Sequence, residues 1–451
     1  MTFGLAQRHI EKSWVTRVIT VFFCFCIILQ AHASDSLVSA LEGSKPIGFA
    51  KAMHVADDKK GDRPNQRTSG LGGKLGVETG EYRGFKLKSA WYATADLGLG
   101  HEDPRKTDAY MFDLDKKPYS LLGEMQLGFK QGNTALLIGR QEFFSPIINT
   151  YDYRIIPNLY EAYTLTNRDI SETVITLAYV GKMSGLDGLV TFSEFRSMSQ
   201  QAYTSLKLAT DGSIDAKSGD TLDISKVVGD HGVWTTGIVY GKDNQFQLWN
   251  YHGKETLNTL YVGGQLKTGL SEDFVTILEG QAYQVAAVGG FKDYLSQMGL
   301  NANYGLYGMK GTLAHQPSKI SVALAFNHFT GDKNTVTAFG NWGGYPEFVT
   351  MPYMHAENKG TSAIVGSYLS RISITFDLGA YGLAGQSLLF GQTNINIDEN
   401  ILANSDIKVN TLLYRAQVTA KLSARVMIDA RSSMNSRYDN EFIALGLRYE
   451  F

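Results

Sequence analysis

Four arginines in the last 40 or so residues share one spacing rule. Arg425, Met427, Asp429 and Arg431 alternate with apolar Val426, Ile428 and Ala430. Arg415, Gln417 and Thr419 alternate with Tyr414, Ala416 and Val418, and Arg448 stands between Leu447 and Tyr449. A period of two places side chains on opposite faces of a strand, so the arginines share the water side. A guanidinium grips a carboxylate through two parallel hydrogen bonds, a fork that lysine lacks. Arginines at successive heights on one wall would hand such an anion along by weak, repeated binding, because a single tight site stalls flux. Asp429 lies within the column; with Glu161 and Glu441 it offers the plainer reading, in which the arginines are neutralised by neighbours.

A second cluster lies earlier in the chain. Glu142, Tyr151, Asp152, Tyr153 and Arg154 bring acid, base and phenol into one short span between strong strands, and Arg140 directly before it reads as facing the same water-filled space. If Gln141–Asn158 folds inward, it sets the narrowest section of a channel, opposite the arginine wall. The alternative is a loop flat on the rim with its charges paired.

The elements that position these residues are strands. The chain stops at Phe451; Phe451, Tyr449, Leu447, Leu445 and Ile443 are apolar, while Glu450, Arg448, Gly446 and Ala444 are polar or small. This is a strand with one face in a greasy medium and the other in water. A soluble edge strand could show it too, but would rarely finish on a bare aromatic. Arg8, Lys12 and Arg17 precede a short apolar run, Val18–Leu29, and Ala31-His32-Ala33 has the small-x-small pattern of a signal-peptidase site. The expected domains are therefore a signal peptide, 1–33, and an outer-membrane barrel, 34–451. Both cysteines, Cys24 and Cys26, fall in the leader, which leaves the mature chain no disulfide or thiol chemistry.

A formal net charge of −2 argues against a nucleic-acid partner. The chain has 47 glycines, 9 prolines and 12% aromatics, which suits long antiparallel ladders joined by tight turns. The mean hydropathy of −0.15 would fit a soluble protein; a barrel explains it, because only alternate residues meet lipid. Tight turns are expected at Tyr82–Gly84, Gln131–Asn133, Arg168–Glu172, Lys242–Asn244, Leu270–Asp273, Gln316–Lys319, Tyr381–Gly385 and Lys421–Ser423. Longer loops are expected at Asp57–Ser69, His101–Pro118, Gln141–Asn158, Ser184–Asp230, Gly331–Thr361 and Asn394–Ile407. Length alone suggests roughly 16–18 strands, and the runs, counted in order, give 18.

Leu137–Leu165, with Gly139, Pro146, Arg154 and Pro157 in order, resembles the strand, constriction loop and returning strand of the OprD-type outer-membrane porins. Ala380–Gly385, Phe339–Gly344, and the pair Leu422–Arg425 with Asn440–Phe442 are similar to further family segments. The first hundred residues and Ser184–Asp230 match poorly, and the family's usual closing residues differ from Tyr449-Glu450-Phe451. The resemblance implies an all-β transmembrane antiparallel barrel of 18 strands, its third loop folded inward, passing small carboxylate and amino-acid-like solutes without a reaction. It also implies that the arginine column is a basic ladder leading carboxylates inward.

The expected address is the outer membrane of a Gram-negative cell. Expected partners are outer-membrane lipid and lipopolysaccharide, the barrel-assembly machinery through Phe451, and small-molecule solutes; a weak homotrimer is the assembly considered. No metal or other cofactor is expected, since the nine histidines lack ligand spacing. Asp57–Asp62 looks faintly like a calcium loop but lacks the later bidentate acid, so it reads as solvated loop. No G-x-S-x-G, H-E-x-x-H or phosphate-binding G-x-x-x-x-G-K occurs, and no enzyme is expected. The competing functions are a fatty-acid-type transporter with a plugged barrel, an outer-membrane lipid hydrolase and an adhesin-like structural barrel. Ser34–Gly48 is too short for a convincing plug.

Overall fold

The computed structural model describes residues 36–60, 64–99, 101, 103, 106–107, 111–113, 117–152, 154–185, 192–199, 207–208, 214–215, 223–337, 342–349, 365–400, 406–433 and 439–451. The expected leader, 1–33, and Tyr153 lie outside them.

Eighteen long strands, among the described residues, form one antiparallel sheet. They are β1 (Lys45–Lys59), β2 (Gln66–Glu78), β3 (Phe85–Asp96), β4 (Ser120–Gln131), β5 (Thr134–Gln141) and β6 (Leu159–Asn167). Next come β7 (Thr173–Ser184), β8 (Val233–Tyr240), β9 (Gln245–Gly253), β10 (Leu257–Gly269), β11 (Phe274–Ala287) and β12 (Tyr304–His315). The last six are β13 (Ile320–Phe329), β14 (Tyr368–Asp377), β15 (Gln386–Asn396), β16 (Ile407–Gln417), β17 (Leu422–Ser433) and β18 (Asn440–Glu450). β18 pairs back onto β1, from Phe49 opposite Glu450 to Lys59 opposite Asn440, so the sheet closes and no edge is left.

The expected turns fall where the strands reverse at one end. Gln131–Asn133, for example, is a hairpin in which Gly132 takes φ of +56°. At the other end the first loop is shorter than expected, because β1 and β2 run to Lys59 and from Gln66. Asp57 is thus a buried strand residue, paired with Lys59 at 3.0 Å, rather than part of a solvated loop. A nine-residue helix, Gly289–Gln297, which the strand pattern does not announce, fills the connection between β11 and β12.

The outer face is apolar. Met309, Leu324 and Leu447 are more than half exposed, and Ile443, Leu445, Tyr449 and Phe451 line up beside Leu447 as the terminal alternation requires. Such a continuous apolar band is solvated by lipid rather than water. At the seam, Phe451 donates its backbone N–H to Gly48 O at 3.2 Å. Its ring fills the notch beside Gly48, where a Cβ would lie 2.6 Å from the ring. No helix among the described residues is long and apolar enough to cross a membrane.

The core sits inside the barrel, toward the long-loop end. Phe49, Met53, Val55, Tyr92, Tyr160 and Phe442 point inward from the strands and are buried by Met111, Phe112, Ile148, Ile155, Ile156 and Trp342 of the connections. The strand β1 therefore carries large apolar side chains on its inner face beside Lys51, whereas most inner positions of β18 are polar or small.

Candidate functional site: a narrowed lumen

The third long connection, between β5 and β6 and described at 142–152 and 154–158, crosses the lumen. Near its start, Glu142 meets Lys74 of β2 at 3.3 Å. Ile147 donates its N–H to Tyr251 Oη of β9 at 3.3 Å, and Asp152 reaches Lys51 of β1 at 3.1 Å and Arg448 of β18. Ile155 is fully buried over the glycine face of β2. A Cβ on Gly70 would stand 2.7 Å from Ile155 Cδ1, and one on Gly72 would stand 2.5 Å from Ile155 Cγ2. Burying a side chain of this size is worth about 1.5–3 kcal/mol, so the two glycines hold the loop inward by leaving it space.

A second connection braces the first. Asn149 donates to Trp342 O at 3.2 Å, and Gly344 donates to Ile147 O at 2.9 Å. Tyr160 Oη donates to Trp342 O at 2.7 Å. The ring of Tyr151 lies 4.8 Å from that of Tyr345. Tyr151 has φ of +44°, a left-handed turn that brings its ring to this contact. Gly343 and Gly344 are packed so closely on 146–149 that a side chain at either would strike backbone.

The lumen has two chemically different walls. On β14–β18 and β1–β3, inward positions carry Arg371, Arg415, Arg425, Arg431, Arg448, Lys51, Lys74 and Lys88; their phase is opposite that of outward Ile372, Phe390, Ile428 and Leu447. On β9–β12 the inward positions carry Trp249, Tyr251, Tyr261, Tyr283, Tyr304 and Glu279, and Glu279 holds Lys310 at 2.6 Å. Glu347, buried on the bracing connection, acts electrostatically on Tyr261 and Tyr283.

The four arginines of the sequence pattern share the inward phase but differ in surroundings. Arg415 is exposed, stands opposite Arg425 in the register and has no ion-pair partner among the described residues. Arg431 is buried, and Asp429, fully buried, accepts from Thr411 Oγ1 at 2.5 Å within electrostatic reach of Arg431 and Arg371. Arg448 is engaged by Asp152, by Glu450 at 2.5 Å and by the ring of Phe49 at 3.9 Å. Arg154 offers its carbonyl to Lys51 Nζ.

Arg140 departs from the expectation that it faces the lumen. It sits opposite Met125 on one side and Glu161 on the other, in the phase of Ile138 and lipid-facing Tyr163, and so points outward. Gln141 holds the inward place instead, bonded to Thr164 Oγ1 at 3.1 Å. The outward arginine is tolerated because it lies at the loop end of its strand, where the cost of charge on the lipid face falls to roughly 0–1 kcal/mol.

Further charged lumen residues stand outside that arginine column. Arg371 was legible, since it alternates with Ile372 and Ile374; a Cβ at Gly391 would come within 3.0 Å of its Nη2, so that glycine clears its path. Glu124 is fully buried between Lys74, at 2.5 Å, Lys88 and the Tyr92 hydroxyl at 2.7 Å. A β-bulge shifts the β3–β4 register beside it, which breaks the alternation that would have revealed it.

No protein-family model and no curated protein matches the sequence. Among solved structures, the fold is similar to OccK9 (OpdG) of Pseudomonas aeruginosa, at 13% identity over 92% of this chain and 99% of that one, with a TM-score of 0.72. OccAB1 of Acinetobacter baumannii is 14% identical over 94% and 99% of the two chains, with a TM-score of 0.70. OpdK of Pseudomonas aeruginosa, solved with vanillate, is 13% identical over 91% and 99%, with a TM-score of 0.67. In fold this chain is a closed antiparallel barrel with 18 long strands among the described residues, similar to those OccK9, OccAB1 and OpdK structures and to the barrel that its third-loop resemblance implied.

Proposed function

We propose that the protein is an outer-membrane porin that lets small hydrophilic solutes bearing a carboxylate, including amino-acid-like compounds, diffuse passively. One observation carries this reading: the inward loop narrows the lumen between an arginine-lysine wall and a tyrosine-glutamate wall. A solute gives up hydration at such a section, and fixed charge opposite its own offsets the cost. Arg415 and Arg425 stand side by side in the register, where two guanidinium forks can share one carboxylate. The wild type and the double variant Arg415→Gln, Arg425→Gln should be compared by liposome swelling and reversal potential. Carboxylate uptake should fall about tenfold while a neutral sugar of equal size is unaffected. Equal loss for both solutes, or loss for neither, would make the channel a general pore.

A further inference from the structure

We propose that the outer face of β5–β7 holds the phosphate of an outer-leaflet lipopolysaccharide, with Arg140 and Lys182 as its ligands. The cross-strand row Met125, Arg140, Glu161, Lys182 points away from the lumen at the loop end of the barrel. Below it in the same phase lies a row of rings: Tyr163 opposite Tyr179, and Tyr179 opposite Trp234. Tyr163 and Trp234 are more than half exposed, and the rings of Tyr179 and Trp234 are 5.0 Å apart.

Exposed tyrosine and tryptophan settle at the boundary between hydrocarbon and headgroups. Arg140 lies two residues, about 7 Å, beyond Ile138 of that row along its strand, and Glu161 as far beyond Tyr163. The cations therefore stand at headgroup depth, where a phosphate lies.

Their present pairing leaves room for a better acceptor. Arg140 Nε and Lys182 Nζ each stand 3.7 Å from Glu161, beyond good hydrogen-bond length, and the three side chains are between a third and a half exposed. Two cations on one carboxylate leave a net positive charge. Arg140 is already oriented, because Nη1 donates to Leu122 O at 3.0 Å and the guanidinium lies 4.4 Å from the ring of Phe195. A phosphate bridging Arg140 and Lys182 would make charge-assisted bonds that Glu161 does not reach. A soluble anion crossing the lumen has no access to this face.

The inference rests on the outer-membrane address proposed above, but its test is independent of conduction. The purified barrel in detergent is titrated with lipid A carrying both phosphates and read by native mass spectrometry. The wild type should retain the lipid, and Arg140→Gln with Lys182→Gln should lower the bound fraction about tenfold. Glu161→Gln should raise it, which loss of packing would not do. Dephosphorylated lipid A should bind the wild type as weakly as phosphorylated lipid A binds the double variant. Equal retention by wild type and double variant, no gain in Glu161→Gln, or displacement by millimolar inorganic phosphate would overturn the proposal. Heat-modifiable migration on gels identifies the folded barrel in each sample.

Discussion

The carboxylate of Asp152 closes on the guanidinium of Arg448, 296 positions later in the chain. The same carboxylate takes Lys51 at 3.1 Å, and β1 and β18 pair directly, so one acid of the inward loop ties together the first and last strands. The loop is thus anchored at the seam where the barrel closes. This contact also removes Arg448 from the set of arginines open to a passing solute.

Asp152→Asn should loosen the loop at this anchor. Lys51, almost wholly buried, would lose that carboxylate partner, at a cost of about 1–3 kcal/mol. Single-channel recordings should show larger and noisier conductance than the wild type, and unchanged traces would mean that the bracing connection alone holds the loop.

Gly70→Ala tests the space beneath the loop. The added Cβ meets Ile155 Cδ1 at 2.7 Å and Met111 Sδ at 3.3 Å, both flexible side-chain atoms, so the strand itself is undisturbed. Ile155 should lift, with a stability loss of about 1–3 kcal/mol and an altered open conductance. Thermal unfolding followed by gel mobility gives the first quantity and planar-bilayer recording the second.

Asp429→Asn should shift selectivity. The acid is fully buried beside Thr411 and within electrostatic reach of Arg371 and Arg431, so its neutralisation removes a negative charge that both guanidinium groups feel. Assembled yield should fall, and the surviving channels should favour anions more strongly. A reversal potential in a salt gradient checks the sign; a shift toward cations would count against the arginine wall as the source of selectivity.

Removing Phe451 should lower the amount of assembled barrel sharply. Its ring fills the notch at Gly48 and its N–H completes the β1–β18 seam. Gly48→Val should imitate the deletion, since any Cβ there strikes both the ring and Lys74 O at 2.2 Å. Heat-modifiable migration of the folded form measures both, and full assembly of the deletion would show that the terminal aromatic is dispensable.

The arginine column and the strand order were legible because lipid and water impose a period of two on any strand with one face in each. In β17 and β18, Arg425, Asp429, Arg431 and Arg448 all take the phase it assigns. The rule fails where protein replaces water as the inner medium. Phe49, Met53 and Val55 of β1 face inward because the crossing loop covers them, so the strand reads with its faces reversed. Arg140 broke it at the rim, where the lipid phase no longer excludes charge. Period and composition by themselves determined that the chain is a barrel, its approximate strand number and which strands line the arginine wall. Tertiary structure alone decided which charges remain open to a solute: Asp152 reaches Arg448, and Arg371 comes within electrostatic reach of Asp429, only after distant segments have been brought together. Such pairings depend on three-dimensional distance, which a one-dimensional alternation does not encode.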